Sequence, residues 1–264
     1  MPEFKAIQVQ IENDVACITM NRAEQRNAVN AEMRDELIAV FTDARTNPQI
    51  RALVLTGAGK GFCTGADLSG PRAQGPTGPG AGREVMKGSS QRLIRSLWEL
   101  EKPVVAAVNG VAAGLGSHLA FASDFVIAAA EARFIEVFVR RGIAVDAAGA
   151  FLLPRLIGLQ KAKELVFFGD DLSADEALRI GLVSKVVPGD QLAATAREWA
   201  ERLAKGPTFA IGLSKRLLNR SLESSFETAL EEEALAQALV TQSEDTREGM
   251  MAFMERRTPQ FKGR

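Results

Sequence analysis

Three runs in this chain, RALVLTG (51–57), VVAAVNG (104–110) and DFVIAA (124–129), are apolar without alternation. A strand of that kind has both faces covered, which is the habit of parallel sheets. Helical sequence separates the three runs, so the connections are crossovers. Strands that alternate with helices define an α/β fold. Ahead of them, AIQVQIEN and VACITMN alternate in polarity around Asn13-Asp14, the signal of a hairpin. Asn30 stands as the N-cap of AEMRDELIAVFTDA, which puts Met33, Leu37, Val40 and Phe41 on one helical face, and Asn47-Pro48 closes that helix.

The sequence changes character near residue 188, where the strand-like SKVVP ends. Just before it, Ser173 and Glu176 form a capping box opening the short helix ADEALRIG. After it, QLAATAREWAERLAK, SKRLLNRSLESSFETALEEEALAQALV and SEDTREGMMAFMERR are helical to the end. The expected division is an α/β core over residues 1–190 and a helical region over 191–264. Residues 70–82 hold eight Gly or Pro in thirteen positions. They read as a mobile loop within one core, because the apolar pattern resumes on both sides. No internal repeat is visible in the letters.

Lys and Arg number 32 against 33 Asp and Glu, a net charge of −1, so nothing demands nucleic acid or an anionic membrane. MPEFKAIQVQ lacks a basic-then-apolar leader pattern and no run reaches the length of a membrane span, so a cytoplasmic location is expected. Cys17 and Cys63 are too few for a disulfide framework and read as small packing residues. His118 is the single histidine of the chain, which leaves no ligand cluster, and no metal site is expected.

Two glycine-bearing turns stand out. TGAGKGFCTGADL (56–68) follows the first apolar strand and NGVAAGLGSHLA (109–120) follows the second. Neither matches a phosphate-binding P-loop, and the glycine spacing is weak evidence for a dinucleotide site. Such turns can expose backbone N–H groups at the ends of adjacent strands, and two converging donors make an oxyanion hole. From spacing alone the commoner reading is a pair of tight turns that pack helices on a sheet.

GKGFCTGADL resembles a signature of the crotonase (enoyl-CoA hydratase/isomerase) superfamily. NRAEQRNAVN is similar to its CoA-contacting segment. NGVAAGLGSHLAFASDFVIAAAEARF and LLPRLIG resemble its second signature and the segment C-terminal to it. The resemblance runs in order along essentially the whole chain. It implies a crotonase-like core of repeated ββα units, a C-terminal helical trimerisation region, and a homotrimer or dimer of trimers. It implies an acyl-CoA thioester as substrate, with coenzyme A entering as part of it and no separate cofactor. By position, the oxyanion donors are the backbone N–H groups of Ala66 and Leu115, with Gly114 beside the acyl pocket. CoA contacts fall on Arg22, Gln25, Arg26, Ala66, Asp67 and Leu68, and on Phe261 and Lys262 from a neighbouring subunit's tail. Read without the resemblance, Arg22, Gln25 and Arg26 are a solvated charge cluster.

The departures matter as much. The two glutamates that hydratases of this family use for water addition fall at His118 and Phe138, and phenylalanine transfers no proton. Asp146, in the apolar AVDAAGA, resembles the acid/base of dienoyl-CoA isomerases and of some ring-epoxide isomerases. Burial there would raise its pKa toward a useful range. The alternative for Asp146 is an N-cap of AAGAFLLPRL. Strand alternation in FIEVFV puts Glu136 on the same face as Phe138, which makes it a second carboxylate candidate. His118 is expected in or beside the acyl pocket, orienting substrate or Asp146, or else bonded to a backbone carbonyl. The expected function is therefore double-bond isomerisation of an enoyl-CoA with Asp146 as proton shuttle. The rivals are a divergent hydratase using His118 with Asp146 or Glu136, and a non-catalytic CoA-binding paralogue.

Overall fold

A computed structural model describes residues 4–69 and 78–264. Most of the glycine- and proline-rich loop therefore lies outside the described residues. The chain opens with a hairpin, β1 (Ile7–Glu12) and β2 (Val15–Met20). Asn13 and Asp14 both take positive φ, 51° and 62°, the turn expected of a two-residue hairpin. Helix α1 (Ala31–Thr46) comes next, its first turn closed by the Asn30 side chain accepting from the Met33 N–H. Met33, Leu37 and Phe41 are fully buried on its inner face, each worth roughly 1.5–3 kcal/mol of burial.

After α1 come β3 (Ala52–Gly57) and β4 (Gly61–Cys63), then α2 (Ala81–Gly88) and α3 (Ser90–Trp98). The pattern repeats as β5 (Val104–Val108), β6 (Val111–Ala113) and α4 (Leu115–Phe121), and again as β7 (Phe125–Ala129) and β8 (Arg133–Ile135). Helix α5 (Gly149–Phe168), β9 (Asp171–Ser173), α6 (Ala174–Arg179) and β10 (Lys185–Val187) complete the sheets. Four helices end the chain: α7 (Leu192–Ala204), α8 (Thr208–Arg220), α9 (Phe226–Val240) and α10 (Glu244–Glu255).

The strands form two sheets. One has six strands in the order β1-β2-β3-β5-β7-β10, parallel apart from the β1–β2 hairpin. The other has the order β4-β6-β8-β9, with β9 antiparallel. Strands β3, β5 and β7 of the first sheet are thus each succeeded by a short strand of the second, the repeated ββ unit that the family resemblance implied. The repeat is structural where the letters show none, because the second strands are three residues long and too short to carry a period.

Every residue of β5 is buried, and its side chains alternate between two cores. Val104, Ala106 and Val108 face the core shared with α1, α3 and the second sheet. Val105 and Ala107 face Leu192, Ala196 and Ala200 of α7. Helix α7 therefore covers one face of the six-stranded sheet, although the sequence reading starts the helical region at residue 191. The long helical segment expected after residue 213 is broken at residues 221–225 into α8 and α9. The capping box is half made: Ser173 accepts from the Glu176 N–H, while the Glu176 carboxylate pairs with Arg179.

Candidate active site

The parallel pairing of β4 with β6 sets the two glycine turns side by side at the ends of those strands. Gly65, at φ 95°, lets the first turn press on the second: a Cβ there would stand 2.8 Å from the Ala113 carbonyl and 3.6 Å from the Leu115 nitrogen. Val29 bridges the first turn by donating to the Gly65 carbonyl and accepting from the Asp67 N–H, which leaves the Ala66 N–H between them unused. Leu115 opens α4, so its N–H has no partner within the helix. Neither N–H is engaged among the described residues. Both residues line one cavity of about 380 Å³, within the range of small-molecule sites.

The buried Asn27 side chain fixes the first turn from behind, donating to the Ala58 and Gly61 carbonyls at 2.9 and 2.8 Å and accepting from the Arg22 N–H. Its position in the letters gave no sign of that role. Arg22 itself pairs with Asp67 at 2.8 Å. Hydrogen bonds from the Ser69 hydroxyl and N–H, together with Arg22, hold the Asp67 carboxyl down at about 2. Gln25 and Arg26 are exposed on the same segment, and the Arg26 carbonyl accepts from the Thr64 N–H. From this segment Asn30 and Arg34 line the cavity, and Leu68 lies at its edge.

The facing wall comes from the stretch between β8 and α5. Phe138, Arg141, Ile143 and Asp146 line the cavity there, with Met86, Ser89 and Ser90 from α2 and α3. Arg34, Ser90 and Arg141 were not singled out in the sequence, where an isolated polar residue carries no positional signal. Asp146 does not cap a helix: α5 begins at Gly149, the cap position is Ala148, and no side chain bonds there. Ala147 and Ala148 both take positive φ, 46° and 64°. That conformation costs an alanine on the order of 1–2 kcal/mol each. Burial pushes the Asp146 carboxyl above the ordinary aspartate range; His118 pulls it down and Glu136 pushes it up.

His118 departs from the backbone-carbonyl alternative. Its Nε2 lies 3.0 Å from Glu136 Oε2, both residues buried at 0% and 4% exposure. Strand β8 stops at Ile135, so Glu136 and Phe138 reach the same neighbour from a turn and not by strand alternation. The Phe138 ring stacks on the imidazole at 5.5 Å between centroids, 14° from parallel. His118 and Glu136 sit behind Phe138 and do not line the cavity. Cys63 is core, its thiol pushed up to about 12 by burial. Among the described residues no group of His, Cys, Asp and Glu could hold a metal ion.

Phe261 and Lys262 are tied to their own chain. Arg51 donates to the Phe261 carbonyl, and the buried Asp245 carboxylate accepts from the Lys262 and Gly263 N–H groups at 2.6 and 2.7 Å.

Two mainly parallel sheets built from repeated ββ units, with paired glycine turns over one cavity, define a crotonase-like enzyme fold. The chain belongs to the Enoyl-CoA hydratase/isomerase family, whose profile matches residues 10–264. It is 42% identical over the full length of both chains to the 1,2-epoxyphenylacetyl-CoA isomerase of Escherichia coli K12. It is 38% identical, over 97% of each chain, to the short-chain-enoyl-CoA hydratase of Clostridium acetobutylicum. The solved enoyl-CoA hydratase/isomerase of Cupriavidus metallidurans CH34 superposes with a TM-score of 0.92 at 36% identity, covering 100% of this chain and 98% of that one.

Proposed function

We propose that this protein moves a carbon–carbon double bond in an enoyl-CoA thioester. The observation that carries the reading is the cavity itself: Asp146 sits in it with Phe138, while the other buried acid–base pair is walled off behind that ring. The thioester carbonyl accepts from the Ala66 and Leu115 N–H groups, which stabilise the enolate. Asp146 takes a proton from C2 of a 3-enoyl chain, the electron pair spreads through the enolate, and the same proton returns at C4. Nothing is oxidised or reduced, so the reaction calls for no cofactor beyond the CoA of the substrate.

Oxyanion donors of this kind are worth roughly 3–4 kcal/mol each, and a positioned proton shuttle 10²–10⁴-fold. The name of the Escherichia coli relative is in keeping with an isomerase, and hydratase names among relatives keep water addition as the rival. Phe138 counts against that rival, since a buried ring holds no water near the double bond.

We assign CoA to the 22–30 segment with Asp67 and Leu68 at the cavity mouth, Gln25 and Arg26 being its exposed polar groups. Subunit association, as a trimer or dimer of trimers, is assigned to α9 and α10. Phe226 and Phe253 there are 73% and 83% exposed. Running the reaction in D2O with a 3-enoyl-CoA tests the shuttle: bond migration is expected with little deuterium at C4, because Asp146 returns the proton it took from C2. Unchanged substrate with no exchange would rule the reading out.

A further inference from the structure

We propose that the buried His118–Glu136 pair is a charge-setting and positioning element for Asp146, acting from behind Phe138 without touching substrate. This rests on the isomerase reading and names the group that tunes its shuttle. A carboxylate buried at 4% exposure requires a proton or a cation, and the imidazole at 3.0 Å is the one within reach. Its other ring nitrogen, Nδ1, is buried with no hydrogen-bond partner, so only one side of the ring is anchored by a polar group. Packing fixes the rest. The Phe138 ring stacks on one face and Phe121 lies 6.5 Å away. Gly149 closes the pocket, since a Cβ there would run into the imidazole.

Gly149 also donates to the Asp146 carbonyl at 2.8 Å, so the residue that makes room for the ring also anchors the shuttle's backbone. The charged groups that act on the Asp146 carboxyl are His118 from α4 and Glu136 from the end of β8. Of the others along the cavity, Arg34 is tied to Asp35 and Asp67 to Arg22, while Arg141 lines the same cavity. With both partners charged the pair is neutral overall, yet its positive end pulls Asp146 toward the ionised form. Removing the imidazole leaves Glu136 opposing that ionisation.

Because His118 is the only histidine, ring-¹⁵N labelling of histidine gives a single imidazole to follow in the intact protein. Its shifts should inflect at the pH where isomerisation fails, and that inflection should vanish in Asp146→Asn. In His118→Asn the acid limb of kcat should move up by about one pH unit, with acyl-CoA affinity retained. If that variant does not fold, the labelled native protein and Asp146→Asn decide alone. Imidazole shifts flat across the limb, or unchanged by Asp146→Asn, would overturn the proposal. So would a His118→Asn limb that stays in place while kcat falls evenly at all pH, the mark of a purely structural ring. Native-like turnover in Asp146→Asn would instead remove the shuttle assignment beneath it, a result separate from the imidazole titration.

Discussion

One wall of the cavity is backbone and the other is side chain. The Gly65–Ala66 and Gly114–Leu115 turns offer amide N–H groups held by strand pairing and by Asn27. Their chemistry depends on the path of the chain and tolerates leucine where another residue would serve. The stretch from Glu136 to Ala148 offers side chains on an irregular, partly exposed path with two alanines at positive φ. In the proposed reaction the first wall stabilises the thioester enolate and the second sets its fate, through the Asp146 carboxyl group and the Phe138 ring that line the cavity.

Changing the side-chain wall should have the largest effect. Asp146→Asn should keep CoA-ester affinity and lose isomerisation by about 10²–10⁴-fold. In the native protein the rate should fall as acid protonates Asp146, with the limb above the ordinary aspartate range because burial raises its pKa. A pH–rate profile reads this directly. On the backbone wall, Gly65→Ala should lower turnover of every thioester substrate by about 10²–10³-fold, the worth of one oxyanion donor. Activity lost for one acyl group alone would mean that the turn reads the chain and not the carbonyl.

Smaller effects lie outside the chemistry. Truncation before Phe261 strips the buried Asp245 carboxylate of two N–H donors, and hydrogen bonds to a charged group are worth about 1.5–3 kcal/mol. Thermal unfolding should therefore shift down by several degrees. A loss of CoA affinity as well would favour sharing of the tail between subunits. Ala148→Gly, which relieves a left-handed alanine at the cost of chain entropy, should change stability by no more than about 1 kcal/mol. A large loss of activity there would show that the strained turn aims Asp146.

Local signals are legible in the letters and long-range ones are not. Asn13-Asp14, Asn30 and the continuous apolar strands each act on neighbours a few residues away, and each appears where expected. Both glycine turns are legible from their place after apolar strands, and the structure sets them at the ends of the adjacent short strands β4 and β6. The His118–Glu136 bond joins residues 18 positions apart and depends on where β8 stops, which no alternation pattern reports. Asp146 sits where a cap would be expected, but the two left-handed alanines push the helix start to Gly149. Arg22 and Asp67 look like free charges in sequence and satisfy each other across two segments. The expectation of a mobile loop over residues 70–82 falls mostly on residues 70–77, outside the described residues.

The most direct test sets two products side by side: double-bond migration in a 3-enoyl-CoA and water addition to crotonyl-CoA, measured on the native protein and on His118→Glu/Phe138→Glu. The native protein should isomerise and hydrate poorly or not at all, because Phe138 excludes water and the paired carboxylates are missing. Phe138→Glu alone should not create an efficient hydratase, and the double variant should hydrate above the native level. Efficient hydration by the native protein, retained in Asp146→Asn, would contradict the isomerase reading and make His118 with Glu136 the catalytic pair.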